Sequence, residues 1–170
     1  MSLETFNEKV LPLKDKLYRF SLSIVNNTHE AEDIVQEIMI KVWDKREEWD
    51  SWSSVEAMCM TMTRNLSIDH TRGKHRRLTS FPEDYDEPAK DITPDQKASS
   101  TDMMHFIQQI MDKMPDLQKQ IIQLREIEGY TYKEIAEVLQ VSMSQVKINV
   151  HRARLFLKNE LVKSAEYGNR

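Results

Sequence analysis

Apolar residues recur along this chain at spacings of three and four and almost nowhere at two. Phe6, Val10, Leu13, Leu17, Phe20 and Ile24 advance by four, three, four, three and four, which places them on one face of a helix. Pro12 interrupts that face; its ring removes a backbone donor, so the helix should bend or split there. Asn26, Asn27 and Thr28 form a turn with Thr28 as the expected N-cap, and Glu30 and Glu32 suit the positive start of the next helix. That second helix is expected from about His29 to Glu47, with Ala31, Ile34, Val35, Ile38, Val42 and Trp43 facing inward and an acidic face opposite. Asp33, Gln36 and Glu37 lie beside the apolar stripe, within about one turn of each other.

Glu48 to Ser54 sets Trp49 and Trp52 among polar residues and reads as a loop carrying two large rings. Ser53 with Glu56 is expected to cap a third helix whose inward positions are Val55, Cys59, Met62 and Leu66, broadened by Met58 and Met60. Beyond them come Arg64, Asn65, Asp69, Arg72 and the basic run Lys74 to Arg77. Two readings of the tryptophans stand side by side. They either pack at the core boundary, or they receive unstacked bases beside a helix whose cations hold the backbone of a single strand. Leu78 to Ser100 contains Pro82, Pro88 and Pro94, many acids and no apolar period, and is a linker. Helical spacing resumes at Thr101 with Met104, Ile107, Ile110, Met111 and Met114; Pro115 restarts the backbone, and Leu117, Ile121, Ile122 and Leu124 form a helix ending near Gly129.

The stretch from Thr131 to Arg154 reads as two short helices joined by a tight turn. Thr131 with Glu134 makes a capping box, and Ser142 with Gln145 repeats it too soon for the first helix to continue. Ile135, Val138 and Leu139 give the first helix a core side, with Ala136 small enough for a neighbour to approach; Val146, Val150 and Ala153 do the same for the second. The second helix's other face carries Ser144, Gln145, Lys147, Asn149, His151, Arg152 and Arg154, which donate to phosphates and base edges. This is the pattern of a helix-turn-helix whose second member enters the DNA major groove. An ordinary helical hairpin with a solvated basic face would share the local pattern. Leu155, Phe156, Leu157 and Leu161 then supply an apolar cover for the pair.

Composition agrees with an all-α chain of 170 residues, with Gly 3, Pro 5 and a hydrophobic share of 39%. A single cysteine, Cys59, excludes an internal disulfide and suits a reducing interior. There is no apolar run of membrane-spanning length and no signal-peptide core at the N-terminus, so a cytoplasmic protein without membrane insertion is expected. The net charge of -4 is unusual for a stand-alone DNA binder, but it is unevenly spread. Arg64 to Arg77 carries +4, Lys147 to Lys163 carries +4, and Glu83 to Asp95 between them carries -5. Enzyme readings find no support. Cys59 has no base beside it and is expected to be a buried small hydrophobe, His70 and His75 have no compact zinc spacing with it, and no glycine-rich phosphate loop is possible. No catalytic, cofactor or metal site is expected.

AEDIVQEIMIKVW (Ala31 to Trp43), TRNLSIDHTRGKHRR (Thr63 to Arg77) and MPDLQKQIIQLREIEGYTYKEIAEVLQVSMSQVKINVHRARLFLKNEL (Met114 to Leu161) together resemble a bacterial sigma factor of the extracytoplasmic-function group. The likeness covers most of the chain, in the family's order. It implies two small helical domains joined by a flexible acidic linker: 1–77 for core polymerase and the minus-ten element, 78–100 as linker, and 101–165 as the helix-turn-helix domain for the minus-thirty-five element. It implies that Asp33, Gln36 and Glu37 meet the clamp helices of core RNA polymerase. It further implies that Trp49, Trp52, Ser53, Arg64, Asn65, Asp69 and Arg72 receive melted minus-ten DNA, with melting driven by binding energy. Ser144, Gln145, Lys147, Asn149, Arg152 and Arg154 would contact minus-thirty-five duplex. The linker would run toward the RNA exit path. An anti-sigma factor is the expected regulatory partner, and the free protein is expected to be monomeric.

Two departures qualify the resemblance. Many members have Gly at the turn where this chain has Gln140, and a Ser-Arg pair where it has Ile148 and Asn149. A positive φ at Gln140 would carry a strain of about 1 kcal/mol, and base preference does not transfer. Two rivals remain from other classes: a dimeric stand-alone helix-turn-helix regulator with a palindromic site, and a helical adaptor that binds only protein.

Overall fold

In the computed structural model, residues 2–80 and 100–168 are described; most of the expected linker, 81–99, lies outside the described residues. The N-terminal module starts with α1 (Leu3–Lys9), capped by Ser2, whose Oγ accepts from the Thr5 amide at 3.3 Å. Pro12 splits the long apolar stripe: Leu11–Leu13 forms one 3-10 turn and α2 (Lys14–Val25) restarts the helix. Val10, Leu17 and Phe20 on the stripe are fully buried, each burial contributing about 1.5–3 kcal/mol.

Helix α2 stops at Asn26, left-handed at φ 53°, a conformation that Asn tolerates better than most residues. The cap of α3 (Thr28–Asp44) is then Asn27 rather than Thr28, its side-chain oxygen accepting from the Glu30 amide at 2.9 Å. The stretch expected as a loop is a 3-10 helix, Arg46–Ser51. It forms because Trp49 folds back: its indole N–H donates to the Val42 carbonyl at 3.0 Å, satisfying an acceptor near the end of α3. The ring stacks on Phe6 at 6.2 Å and is 2% exposed. One residue later than expected, Ser54 caps α4 (Val55–Ser80) by accepting from the Ala57 amide at 3.2 Å, which leaves Glu56 free for other partners. Helices α2, α3 and α4 pack on one another and enclose Ile34, Ile38, Val42, Cys59 and Met60.

The C-terminal module opens with α5 (Ser100–Asp112) and, after Pro115, α6 (Asp116–Ile122). Ile110, Met111 and Met114 are buried, but Met104 is 62% exposed, so the expected face of α5 packs only toward its end. A π-helical turn, Gln123–Ile127, leads to Gly129 at φ 76°, a left-handed position suited to glycine. Next come α7 (Tyr132–Leu139) and α8 (Met143–Gly168). The second helix of the pair and the expected cover are thus one continuous helix. Phe156 and Leu157 pack against Met111, Met114, Ile122 and Ala153, while Leu155 and Leu161 face outward.

The two modules touch. α2 lies against α6 and α4 against α7, and one buried cluster runs from Val10 through Met60 into Ile121, Leu124, Tyr130, Ile135 and Val138.

Candidate nucleic-acid interface

The helix pair is built by its caps. Thr131 Oγ1 accepts from the Glu134 amide at 3.2 Å while Glu134 accepts from the Thr131 amide at 2.7 Å. Ser142 and Gln145 repeat the exchange, both bonds at 3.1 Å. Between them Gln140 is left-handed at φ 54°, which turns the chain sharply enough for α8 to cross α7. Ile135, Val138, Val146, Val150 and Ala153 are sealed inside, fixing the rotation of α8 about its axis. The face turned outward carries Ser144, Gln145, Lys147, Ile148, His151 and Arg152, all exposed.

Local bonds modify three members of the expected reading set. Gln145 spends its side-chain oxygen on the Ser142 amide, which leaves its amide nitrogen as the group to offer DNA. Asn149 is half-buried and donates to the Gln145 carbonyl at 2.8 Å. Arg154 binds Glu126 through two nitrogens at 2.8 and 2.5 Å, and that hydrogen bond raises its pKa further. It lines an open groove with Leu157, Leu161 and Val162. Lys147 and Arg152 are exposed and carry the charge of the outward face.

On the N-terminal module, Asn65, Asp69 and Arg72 share the exposed side of α4 with half-buried Arg64. Burial lowers the Arg64 pKa, and the nearby Arg72 cation adds to the effect. Trp52 is half-buried and lies 6.3 Å from Trp49, so of the two rings it alone can turn an edge outward. Of the two readings of Trp49, the structure places the ring in the core, 2% exposed, with its indole N–H donating to the Val42 carbonyl and Phe6 stacked on it. On α3, Asp33 and Gln36 are exposed beside buried Ile34, Val35 and Ile38, and half-buried Glu37 pairs with Lys41 at 2.6 Å.

A set of pairings that sequence reasoning missed joins the modules, drawing in Ser53 and Arg64 from the expected site and Lys16, Arg19, Glu56, Gln120, Glu128, Tyr130 and Glu137 from outside it. Arg19 grips Glu128 through two bonds of 2.9 and 2.8 Å. Glu56 accepts from Lys16 at 2.6 Å and from the Tyr130 hydroxyl at 2.5 Å, with the Lys16 ammonium 4.9 Å from the Tyr130 ring centre. Arg64 donates to Gln120 Oε1 at 2.8 Å, and Ser53 bonds Glu137. Spacing along the chain carries no signal for pairs this far apart. Burial alone would raise the Glu56 pKa, but its hydrogen bonds from Lys16 and Tyr130 and the Lys16 charge outweigh burial and hold it below 4.5. The Tyr130 hydroxyl is raised by burial and by its bond to Glu56. Among the described residues no cluster of His, Cys, Asp and Glu could hold a metal ion, and no helix is long and apolar enough to cross a membrane.

A capped helix pair with an outward cationic face, carried behind a second helical module whose α4 holds a basic run, is a helix-turn-helix architecture. Residues 10–77 match the model of sigma-70 region 2, and residues 107–157 that of sigma-70 region 4, together about 70% of the sequence. The chain belongs to the sigma-70 family of RNA polymerase sigma factors, in its extracytoplasmic-function group. The extracytoplasmic-function factor SigE of Mycolicibacterium smegmatis is 31% identical over 164 residues, covering 95% of this chain and 63% of its own length. SigW of Bacillus subtilis is 28% identical over 170 residues, covering 93% of this chain and 89% of its own length. The fold is also that of the sigma factor RpoE, solved in complex with the anti-sigma factor NepR from Bartonella quintana. That likeness has a TM-score of 0.73 at 22% identity, over 94% of this chain and 98% of that one. CnrH, solved with the cytosolic domain of CnrY, matches at TM-score 0.69 and 19% identity over 95% and 90%. The family is one of non-enzymatic transcription initiation factors.

Proposed function

We propose that this protein joins core RNA polymerase and directs it to promoters, the N-terminal module melting and holding the minus-ten strand and the C-terminal module reading the minus-thirty-five duplex. The observation that carries the reading is the outward face of α8, where Lys147 and Arg152 stand exposed on a helix whose opposite side is sealed by Val146, Val150 and Ala153. Lys147 and Arg152 suit phosphate or guanine contact, and Gln145 and Ser144 lie one turn nearer the helix start, where base edges are reached. Asn149 and Arg154 take supporting positions, because their side chains are bonded within the module.

Asp33, Gln36 and Glu37 offer an acidic, hydrogen-bonding helix face for a basic helix pair on polymerase. On α4, Arg64 and Arg72 would hold the backbone of the displaced strand, with Asn65, Asp69, Ser53 and Trp52 around an extruded base. Polymerase supplies most of the DNA affinity in this scheme, which accounts for a net charge of -4 on a promoter-reading protein. The structural relatives RpoE and CnrH were each solved with a partner protein, and an anti-sigma factor is the corresponding regulator proposed for this chain.

Run-off transcription with purified core polymerase on a genomic promoter library tests the proposal. Specific transcripts that require the protein, and that disappear when Lys147, Asn149 and Arg152 are together replaced by Ala, are expected. Tight, specific duplex binding by the free protein as a dimer would favour a stand-alone regulator instead. Activity that survives the triple replacement would favour a protein-binding adaptor.

A further inference from the structure

The outward face of α8 has an apolar residue at its centre. At about 3.6 residues per turn, Ile148 falls opposite the sealed Val146, Val150 and Ala153, and it is 49% exposed. Ser144 and Gln145 precede it by four and three positions, His151 and Arg152 follow by three and four, and all four are exposed. Those spacings gather the polar side chains around it on one face. A lone exposed isoleucine elsewhere on a surface would need no explanation. This one is encircled by hydrogen-bonding and cationic groups on the face assigned above to duplex DNA.

What the neighbours can offer narrows the base that fits. The Gln145 side-chain oxygen accepts from the Ser142 amide at 3.1 Å, leaving only its amide nitrogen, and Asn149 is turned aside to donate to the Gln145 carbonyl at 2.8 Å. The bidentate adenine contact open to Gln or Asn is thereby given up at both positions. Lys147 and Arg152 only donate, and no carboxylate stands among these residues to accept from the amino group of cytosine or adenine. In the major groove thymine presents an acceptor oxygen beside a methyl group, which matches donors beside an apolar side chain. Guanine accepts from the donors but gives Ile148 nothing apolar to cover, and cytosine presents an amino donor and no methyl.

We propose that Ile148 is a specificity-determining residue of this protein, seated against the 5-methyl group of one thymine in the upstream duplex. The proposal deepens the reading of α8 given above and rests on it. Ile148 sets the preference for a single T·A pair, while Lys147 and Arg152 keep the phosphate or guanine contacts already assigned to them.

The test takes a promoter recovered by the run-off experiment, randomises its upstream element and marks each template with a barcode in its transcript. The pool is transcribed by core polymerase with the full chain, and sequencing the transcripts reads base preference. The parent is expected to enrich thymine at one position of one strand. Ile148→Val should keep that enrichment and Ile148→Ser should lose it at that position alone, circular dichroism confirming that both variants fold. Deoxyuridine in place of the enriched thymine pairs alike but lacks the methyl. It should lower run-off by the parent about fourfold, the effect of covering one methyl-sized group, and leave run-off by Ile148→Ser unaffected. Equal run-off by the parent from thymine and deoxyuridine templates, or unchanged enrichment with Ile148→Ser, overturns the proposal. So does an Ile148→Ser defect equal on every template, which marks Ile148 as a contact to polymerase or another protein. Failure of the underlying reading shows separately: Lys147→Ala/Arg152→Ala then transcribes undiminished, and the parent enriches no upstream base.

Discussion

Arg19 and Glu128 lie 109 positions apart in the chain and meet through two hydrogen bonds, at 2.9 and 2.8 Å. The Glu128 side chain is 1% exposed while that of Arg19 is 47% exposed, so the pair is solvated from one side only. Arg19→Ala should destabilise the protein by about 1–3 kcal/mol, mainly by leaving a covered carboxylate with a single weaker donor, Gln123 at 3.4 Å. Urea unfolding followed by circular dichroism measures the loss. Because one cluster spans both modules and Arg19→Ala leaves it in place, parent and variant are both expected to unfold in a single transition.

Tyr130→Phe removes one of the donors that hold Glu56 down. A carboxylate kept below its ordinary value of 4.5 contributes stability that is present above that pH and lost as pH falls through the folded value. The variant should therefore lose less stability than the parent as pH falls below 4.5, so that the gap between the two narrows in acid. Near neutral pH it should lose about 1 kcal/mol. Parallel chemical denaturation at pH 7 and over the acid range checks both.

The two tryptophans should separate cleanly. Trp49→Ala empties a core site whose indole also binds the Val42 carbonyl, and should cost about 3–5 kcal/mol. Trp52→Ala should change stability much less and reduce promoter melting by the polymerase complex. Thermal unfolding and permanganate footprinting read the two effects.

Gln140→Gly should stabilise the helix pair by about 0.5–1 kcal/mol, since φ 54° is a left-handed conformation that a Cβ disfavours. Gln140→Val should lower the melting temperature by relieving nothing and adding a branched side chain. Calorimetry on both variants checks the sign.

Cys59 is fully buried and burial pushes its thiol up to about 12. Iodoacetamide at mildly alkaline pH should leave it unmodified in the folded chain and alkylate it once urea has unfolded the protein, as mass spectrometry would read.

Helical spacing made the elements of this protein legible, and the Thr131 and Ser142 capping boxes marked where the helix pair begins and turns. Caps were misplaced by one residue at Asn27 and Ser54, where neighbouring side chains of similar chemistry compete for the same backbone amide and the path of the previous element decides between them. For Trp49 the sequence left core packing and base reception side by side; its assignment to the core needed Phe6 from a helix four elements earlier in the chain.

By itself the sequence determined which residues form helices, which faces are apolar and where cations collect, because those properties arise between residues within a few turns of each other. Only the tertiary structure decided that the two modules close together, and that Arg64 and Ser53 meet Gln120 and Glu137. The physical reason is that amphipathic periodicity tells a face to be covered without naming what covers it, and charge-pair partners more than a hundred residues apart, such as Arg19 and Glu128, leave no mark on local spacing.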